Sequence, residues 1–243
     1  MNKTPYILMY HSVARLDPPA DDPFQITVTP ERFEDQLAWM ARRGLHGVSV
    51  RELLAAGDRR ALVGLTFDDG YADFPRNALP ALLRHGFTAT VYVVAGRIGG
   101  SNGWEVTGPA KPLMEPSAVL ECAEAGMEIG SHGLLHAHLP RLDAAAAERE
   151  ITESRRLLGD LLGAPIAGYC YAYGQHGARE VDLVRAAGYD YACAVEPSHL
   201  RGRYALPRAY VGQADGGLRL TAKRVRAALI ARQPAAPEPL PAS

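Results

Sequence analysis

Three stretches of this sequence end an apolar run in residues able to do chemistry. Residues 61–67 lead into Asp68-Asp69-Gly70, residues 127–129 into a segment holding His132 and His136, and residues 166–171 into Ala172-Tyr173-Gly174. Two unpaired carboxylates closing an apolar strand are costly, and a bound cation relieves that cost for one of them. Neighbouring side chains diverge in an extended or sharply turning backbone, so one carboxylate can hold a cation while the other faces a substrate. Gly70 lets the chain turn tightly behind them. An acidic pair before a glycine also suits a solvated turn, and a single histidine also suits a satisfied core position. The i, i+4 spacing of His132 and His136 brings both rings to one side if their segment makes a helical turn. Two imidazoles and one carboxylate leave coordination positions open, as a catalytic divalent site needs; zinc suits that set, and cobalt, nickel or iron fit it too. His138, two residues past His136, is a competing ligand candidate, less favoured because at that spacing it is expected to point elsewhere.

The chemistry of such a set is hydrolysis. A divalent ion lowers the pKa of a water, Asp68 is placed to take the proton, and the resulting oxyanion needs a donor such as the backbone N–H of Tyr173.

The elements that must position these groups alternate along the chain. Strands are expected at residues 6–11, 61–67, 88–94, 127–129, 166–171, 189–195 and 206–211, with helices at 30–43, 74–85, 116–125, 143–162, 179–187 and 217–231. Glycines 44, 86, 126, 163 and 188 each follow a helix, as C-terminal caps do, while Thr29-Pro30 and Asp143 supply starts. Such alternation implies parallel β-α units, and in that architecture residues past the carboxyl ends of the strands gather on one face. Tyr71 and Asp73 are expected to shape the turn after the acidic pair and to cap the next helix.

Composition narrows the partners. At 47% hydrophobic and 22% charged residues, with a formal net charge of −1, nothing favours nucleic acid or an acidic membrane as partner. No apolar run approaches the roughly 20 residues of a membrane span. The run at residues 6–10 is too short for a secretory signal, so the chain reads as cytoplasmic. Cys122, Cys170 and Cys193 lack metal-motif spacing and read as free core thiols. A single domain over residues 1–232 is expected, with a disordered proline-rich tail at 233–243; oligomeric state has no signature.

At the acidic pair and the histidines the sequence resembles the polysaccharide deacetylases, carbohydrate esterase family four. Leu65-Thr66-Phe67-Asp68-Asp69-Gly70 is similar to the family's first motif, whose first aspartate is the base and whose second is a metal ligand. Ile129-Gly130-Ser131-His132 through His136 is similar to the second, which supplies both histidine ligands, and Tyr169-Cys170-Tyr171-Ala172-Tyr173-Gly174 to the third, whose tyrosine amide lines the oxyanion site. The likeness runs over roughly residues 5–212, from Tyr10-His11 to Leu206-Pro207-Arg208. It implies a distorted, incomplete (β/α) barrel, commonly of seven strands, and hydrolysis of N-acetyl groups from a glycan or glycoconjugate precursor. Other readings of the same groups are a metal-dependent amidohydrolase, an O-acetyl esterase, or a glycan-binding member without turnover.

The sequence departs from the family pattern at three places. Ala172 replaces the usual proline, Cys170 stands where many members have an arginine orienting the base, and the C-terminal motif carrying a histidine acid is not recognisable. His11, at the end of the first strand, is the preferred proton donor, with His199 second. Arg208 is expected on the rim, contacting substrate or pairing with Asp68 in place of the missing arginine, and Trp104 is expected to stack on a sugar or anchor its loop.

Overall fold

The structure is a computed structural model describing residues 5–15, 22–104, 107–195, 200 and 202–230. Strand β1 (Ile7–Tyr10) is followed by the short β2 (Ser12–Val13) and β3 (Thr27–Val28), then α1 (Pro30–Ala41), β4 (His46–Val48), α2 (Val50–Ala55) and β5 (Leu62–Phe67). A π-helical turn, Phe74–Ala78, leads into α3 (Leu79–Arg84). Strict alternation follows: β6 (Thr90–Val93), α4 (Pro116–Glu124), β7 (Glu128–Ser131), α5 (Ala144–Leu162), β8 (Gly168–Cys170), α6 (Ala178–Ala186) and β9 (Tyr191–Cys193). The short β10 (Ala209–Tyr210) and α7 (Gly217–Ile230) complete the described chain. The expected tail at 233–243 and His199 lie outside the described residues.

All pairings in the main sheet are parallel, in the order β10-β1-β5-β6-β7-β8-β9. These seven strands correspond to the seven expected. Strand β4 is an addition: it pairs with Leu62 to Gly64 at the start of β5, below the point where β6 joins Thr66 and Phe67. Residues 206–210 touch both edges of the sheet. Leu206 exchanges hydrogen bonds with Ala192 and Ala194 beside β9, while Ala209 and Tyr210 pair with β1. That double attachment curls the sheet into the distorted (β/α) barrel and carries Arg208 across the gap.

Helix boundaries follow the local chemistry. The Thr29 side chain accepts from Arg32 N at 3.3 Å ahead of Pro30, and Asp143 accepts from Ala146 N at 2.8 Å at the start of α5. Helix α5 ends at Gly163 in the left-handed conformation, which costs a glycine little. Helix α2, absent from the expected elements, starts with a capping box between Ser49 and Glu52. Asp73 does not cap the helix after it. Its carboxylate accepts from Ser12 Oγ at 2.6 Å and Val13 N at 3.1 Å, tying the turn after β5 to β2.

Two apolar layers result. Phe33, Leu37, Leu65, Phe67 and Phe74 belong to the larger layer between helices and sheet, while Ile7, Val48, Tyr92, Cys170, Tyr191 and Cys193 form the smaller one, lining the barrel interior. All three cysteines are free and buried. The interior is tightly filled: a Cβ at Gly130 would stand 2.5 Å from ring carbons of Tyr92 and 3.1 Å from Gly168 O. Gly130→Ala is therefore expected to destabilise the protein by about 1–3 kcal/mol, read as a lower midpoint of urea unfolding. An unchanged midpoint would mean that Tyr92 moves aside without cost. Among the described residues, no helix is long and apolar enough to cross a membrane.

Candidate active site

Strand β5 delivers the acidic pair to the carboxyl-end rim. Asp68 N still donates to Tyr10 O at 3.0 Å, so Asp68 continues the strand and faces the barrel. Asp69 and Gly70 both take left-handed backbone, with φ of 73° and 74°, so the chain reverses and the Asp69 carboxylate swings away from that of Asp68. On β7, His132 N donates to Val93 O at 2.9 Å, which fixes where the histidine segment begins.

That segment is not the helical turn expected from the i, i+4 spacing. It is a loop wrapped around the buried carboxylate of Glu150, whose Oε1 accepts from Leu135 N at 2.6 Å and Ala137 N at 3.2 Å. His136 reaches the site through a left-handed backbone, φ 63°. Glu150 was not singled out in the sequence, although a signal exists: it lies on the inward stripe of α5 with Ala147, Ile151, Ser154 and Leu158. A charge on an apolar stripe needs a partner, and here the partners are loop amides.

The loop brings the two imidazoles onto Asp69. Asp69 Oδ1 lies 3.4 Å from His132 Nε2 and 3.3 Å from His136 Nε2. His132 Nδ1 donates to the Cys170 carbonyl at 2.9 Å, which leaves Nε2 with its lone pair turned to Asp69. Lone pairs that face one another call for a cation between them, a proton or a metal ion. The charges agree. Burial opposes ionisation of Asp69, yet His132 and His136 hold its carboxyl well below the ordinary range. Burial likewise opposes the His132 imidazolium, but its contact with Cys170 and the negative charges of Asp69 and Asp68 favour it and hold its pKa well above the usual value.

The three donor atoms fit a divalent ion. Bonds of roughly 2.0–2.2 Å in a tetrahedron put ligand atoms about 3.3–3.6 Å apart, matching the 3.3 and 3.4 Å found between Asp69 and the histidines. Asp69 Oδ1 is buried with no hydrogen-bond donor among the described residues. The ligand atoms of a second trio, Asp68, His132 and Cys170, also lie within 4.8 Å of one another. Its atoms are otherwise engaged: both Asp68 oxygens are taken by Arg208, and burial pushes the Cys170 thiol up, keeping it protonated.

Arg208 grips Asp68 through both guanidinium nitrogens, NH1 to Oδ1 at 2.6 Å and NH2 to Oδ2 at 2.8 Å. The guanidinium is itself fixed by Ala194 O at 3.1 Å, Thr66 Oγ1 at 3.0 Å and Cys170 Sγ at 2.9 Å. Burial would raise the Asp68 pKa; Arg208, with His132 and His11, lowers it below the ordinary value. Arg208 is thus buried behind Asp68, in the second of the two places expected for it.

Beside these groups opens a cleft of about 220 Å³, lined by both aspartates, both histidines, His11, Tyr173 and the apolar Met9, Phe24 and Ile26. Phe24 and Ile26 come from the segment before β3 and carried no sequence signal. His11 lies on this cleft, and burial lowers its pKa against the pull of Asp68 and Asp69. Tyr173 turns through φ 57° and packs edge-on against His136, ring centroids 4.5 Å apart, and flat on His138 at 3.7 Å. His138, whose Nδ1 lies 3.2 Å from Gln175 Oε1, stays outside the cation group. Trp104 stacks on His136 with centroids 4.5 Å apart. Of the four non-glycine residues with positive φ among those described, Asp69, His136 and Tyr173 are in the site, where strain tends to collect.

A family model for polysaccharide deacetylases matches residues 56–192, more than half of the chain, including the acidic pair, both histidines and the tyrosine turn. The chain belongs to the polysaccharide deacetylase family. Among relatives of this deacetylase, YxkH of Bacillus subtilis (strain 168), itself named for polysaccharide deacetylases, is 26% identical over 219 residues, 87% of this chain and 72% of YxkH. The Streptococcus pyogenes deacetylase PplD, solved in complex with acetate, superposes with a TM-score of 0.76 at 21% identity, covering 91% of this chain and 98% of PplD. A de-N-acetylase from Aggregatibacter actinomycetemcomitans gives 0.75 at 16% identity, over 90% and 98% of the two chains. These structures establish the deacetylase barrel as the fold, and the family places the protein among hydrolases that deacetylate glycans.

Proposed function

We propose that this polysaccharide deacetylase removes the N-acetyl group from an aminosugar of a glycan or glycoconjugate precursor, with Asp69, His132 and His136 holding one divalent metal ion and Asp68 acting as general base. The observation that carries this reading is the division between neighbouring carboxylates. Asp69 faces two imidazole nitrogens at 3.3–3.4 Å, while Asp68 is turned to Arg208 at 2.6–2.8 Å. A cation set and a separate, ionised base are what amide hydrolysis requires.

The metal, when bound, supplies Lewis acidity toward the acetyl carbonyl and a water; zinc suits the ligands, as do cobalt, nickel and iron. Asp68, held ionised by Arg208, takes the proton of the attacking water. The Tyr173 backbone amide donates to the developing oxyanion. His11 is the proton donor to the departing amine. It rests neutral because burial lowers its pKa; the proton that Asp68 takes from the water passes to it and on to the amine, which returns Asp68 to its ionised form, and the attraction of Asp68 and Asp69 favours that uptake. Met9, Phe24 and Ile26 give the acetyl methyl group an apolar wall.

Acetate release from N-acetylglucosamine oligomers, measured with and without added divalent metal, tests the reading. Release is expected to depend on metal and to fall by roughly 10²–10⁴-fold in Asp68→Asn, with bound metal unchanged. Wild-type protein loaded with metal that releases no acetate from any acetylated sugar would overturn it.

A further inference from the structure

Strands β2 and β3 are two residues each and form a sheet of their own, apart from the main one. A pair that short does not hold itself in place in water. Yet one wall of the active-site cleft rides on it. His11 stands directly before β2, and Phe24 and Ile26 lie in the segment leading into β3. The facing groups, Asp68 and Asp69, belong to the end of β5. Something must fix the small sheet against that end.

Lys111 occupies the junction. Ser12 and Thr27 are register partners across the small sheet, and both are buried. Lys111 Nζ donates to both hydroxyl oxygens, Ser12 Oγ at 2.5 Å and Thr27 Oγ1 at 3.2 Å. Ser12 spends its own proton on Asp73, so its oxygen needs a donor, and an ammonium offers three N–H groups and no acceptor. On the β5 side the same ammonium lies 4.0 Å from Asp73 Oδ2 and 4.8 Å from the centre of the Tyr71 ring, just past the Asp69-Gly70 reversal. The backbone is fixed in turn. Lys111 N donates to Asn102 Oδ1 at 2.6 Å, and its carbonyl accepts from Asn102 N at 3.1 Å. The residues that follow run along the Asp69 turn, Ala72 N donating to Pro112 O at 3.0 Å and Met114 N to Gly70 O at 2.9 Å. Side chains alternate along a strand, so a grip on Ser12 and Thr27 leaves the residues before them, His11 and Ile26, to face the cleft. The flanks of β3 have ties of their own, Tyr210 OH donating to Gln25 O and Thr29 N to Gln213 Oε1. Lys111 holds the middle.

We propose that Lys111 is a positioning residue for this site: it clamps the β2–β3 pair to the turn that carries Asp69, and so sets where His11, Phe24 and Ile26 stand relative to the acidic pair. Lys111 itself lies behind the cleft rather than in its lining. The role in turnover rests on the deacetylase reading above; the clamp is a matter of geometry and is read separately.

The protein has five phenylalanines; Phe33, Phe67, Phe74 and Phe87 are buried, while Phe24 is 49% exposed. In metal-loaded protein labelled with 4-fluorophenylalanine, a Phe24→Leu variant assigns the Phe24 fluorine signal. Lys111→Met is expected to move or broaden that signal, to leave the four core signals and the bound metal as they were, and to lower kcat/KM for acetate release by roughly 10–100-fold. Most of the loss should fall on kcat, because His11 acts only as the amine departs. Lys111→Arg keeps the charge and should recover part of the activity. Thr27→Val keeps the shape and cuts only the β3 end of the clamp; it should move the Phe24 signal and cost several-fold, and it decides alone if Lys111→Met does not fold. The proposal is overturned if the Phe24 signal stays put in the folded variants, if the core signals move with it, if lost activity follows lost metal, or if the signal moves and kcat/KM does not. Wild-type enzyme that binds metal but releases no acetate would overturn the deacetylase reading and the role in turnover together, with the Phe24 signal still deciding the clamp.

Discussion

Asp69→Ala is expected to lose tight metal binding and, with it, acetate release, by at least roughly 10³-fold in turnover. The size follows from what Asp69 contributes. It is the one anionic member of the trio, it is 5% exposed, and its Oδ1 stands within 3.4 Å of both imidazole nitrogens. Loss of a group that merely orients a metal ligand costs roughly 10–100-fold in affinity, and removing the ligand with its charge is expected to cost more. Metal content by elemental analysis and acetate release should fall together. Because His132 holds a proton tightly in the cation's absence, binding is also expected to weaken on acidification, proton and metal competing for one nitrogen. Near-wild-type metal content in Asp69→Ala would transfer the ligand role to the Asp68, His132 and Cys170 trio. Retained metal with lost activity would instead make Asp69 part of the reaction rather than of the binding site.

The acidic pair was legible because two charges at the end of an apolar run contradict that run unless something compensates them. The histidine pair was legible for its spacing, but the reason given for it was wrong. The rings converge through Glu150 and a left-handed His136, and neither a loop's path nor a positive φ is written in an i, i+4 interval. Strand β4 escaped notice because His46, Gly47 and Val48 show no alternation; its identity as a strand comes from the open edge at the start of β5. Helix α2 does carry a local signal, since Ser49 three residues before Glu52 is a capping-box pattern. The lining by Phe24 and Ile26 depends on where the segment before β3 settles, which nothing local dictates. Arg208 lies between these cases. The family resemblance at Leu206-Pro207-Arg208 and the missing orienting arginine marked it, but its partner is 140 residues away and is met only because residues 206–210 bridge the two edges of the curled sheet.

That bridging makes Arg208→Met the second large effect, and one with a distinct signature. The substitution removes two short hydrogen bonds and leaves Asp68, 3% exposed, as a buried charge without its main counter-ion. Breaking a buried pair from one side costs about 3–5 kcal/mol, and turnover at neutral pH is expected to drop roughly 10²-fold or more. In the wild type the folded pKa of Asp68 lies below its unfolded value of about 3.9, so its contribution is full above that pH and is lost as pH falls through the depressed folded pKa. Without Arg208, burial dominates and the folded pKa rises above the unfolded one, so the variant is most penalised at neutral pH and recovers on acidification. The stability gap between the two proteins should therefore close as pH is lowered, while the acid limb of the rate profile moves to higher pH. Arg208→Lys keeps the charge but not the two-pronged fork and should fall between. Adding Asp68→Asn to Arg208→Met should restore stability without restoring activity, because it removes the stranded charge together with the base. An arginine that only filled space would lower stability in Arg208→Met by the same amount at every pH and leave the rate profile where it was; a moving acid limb ties it to the ionisation of Asp68.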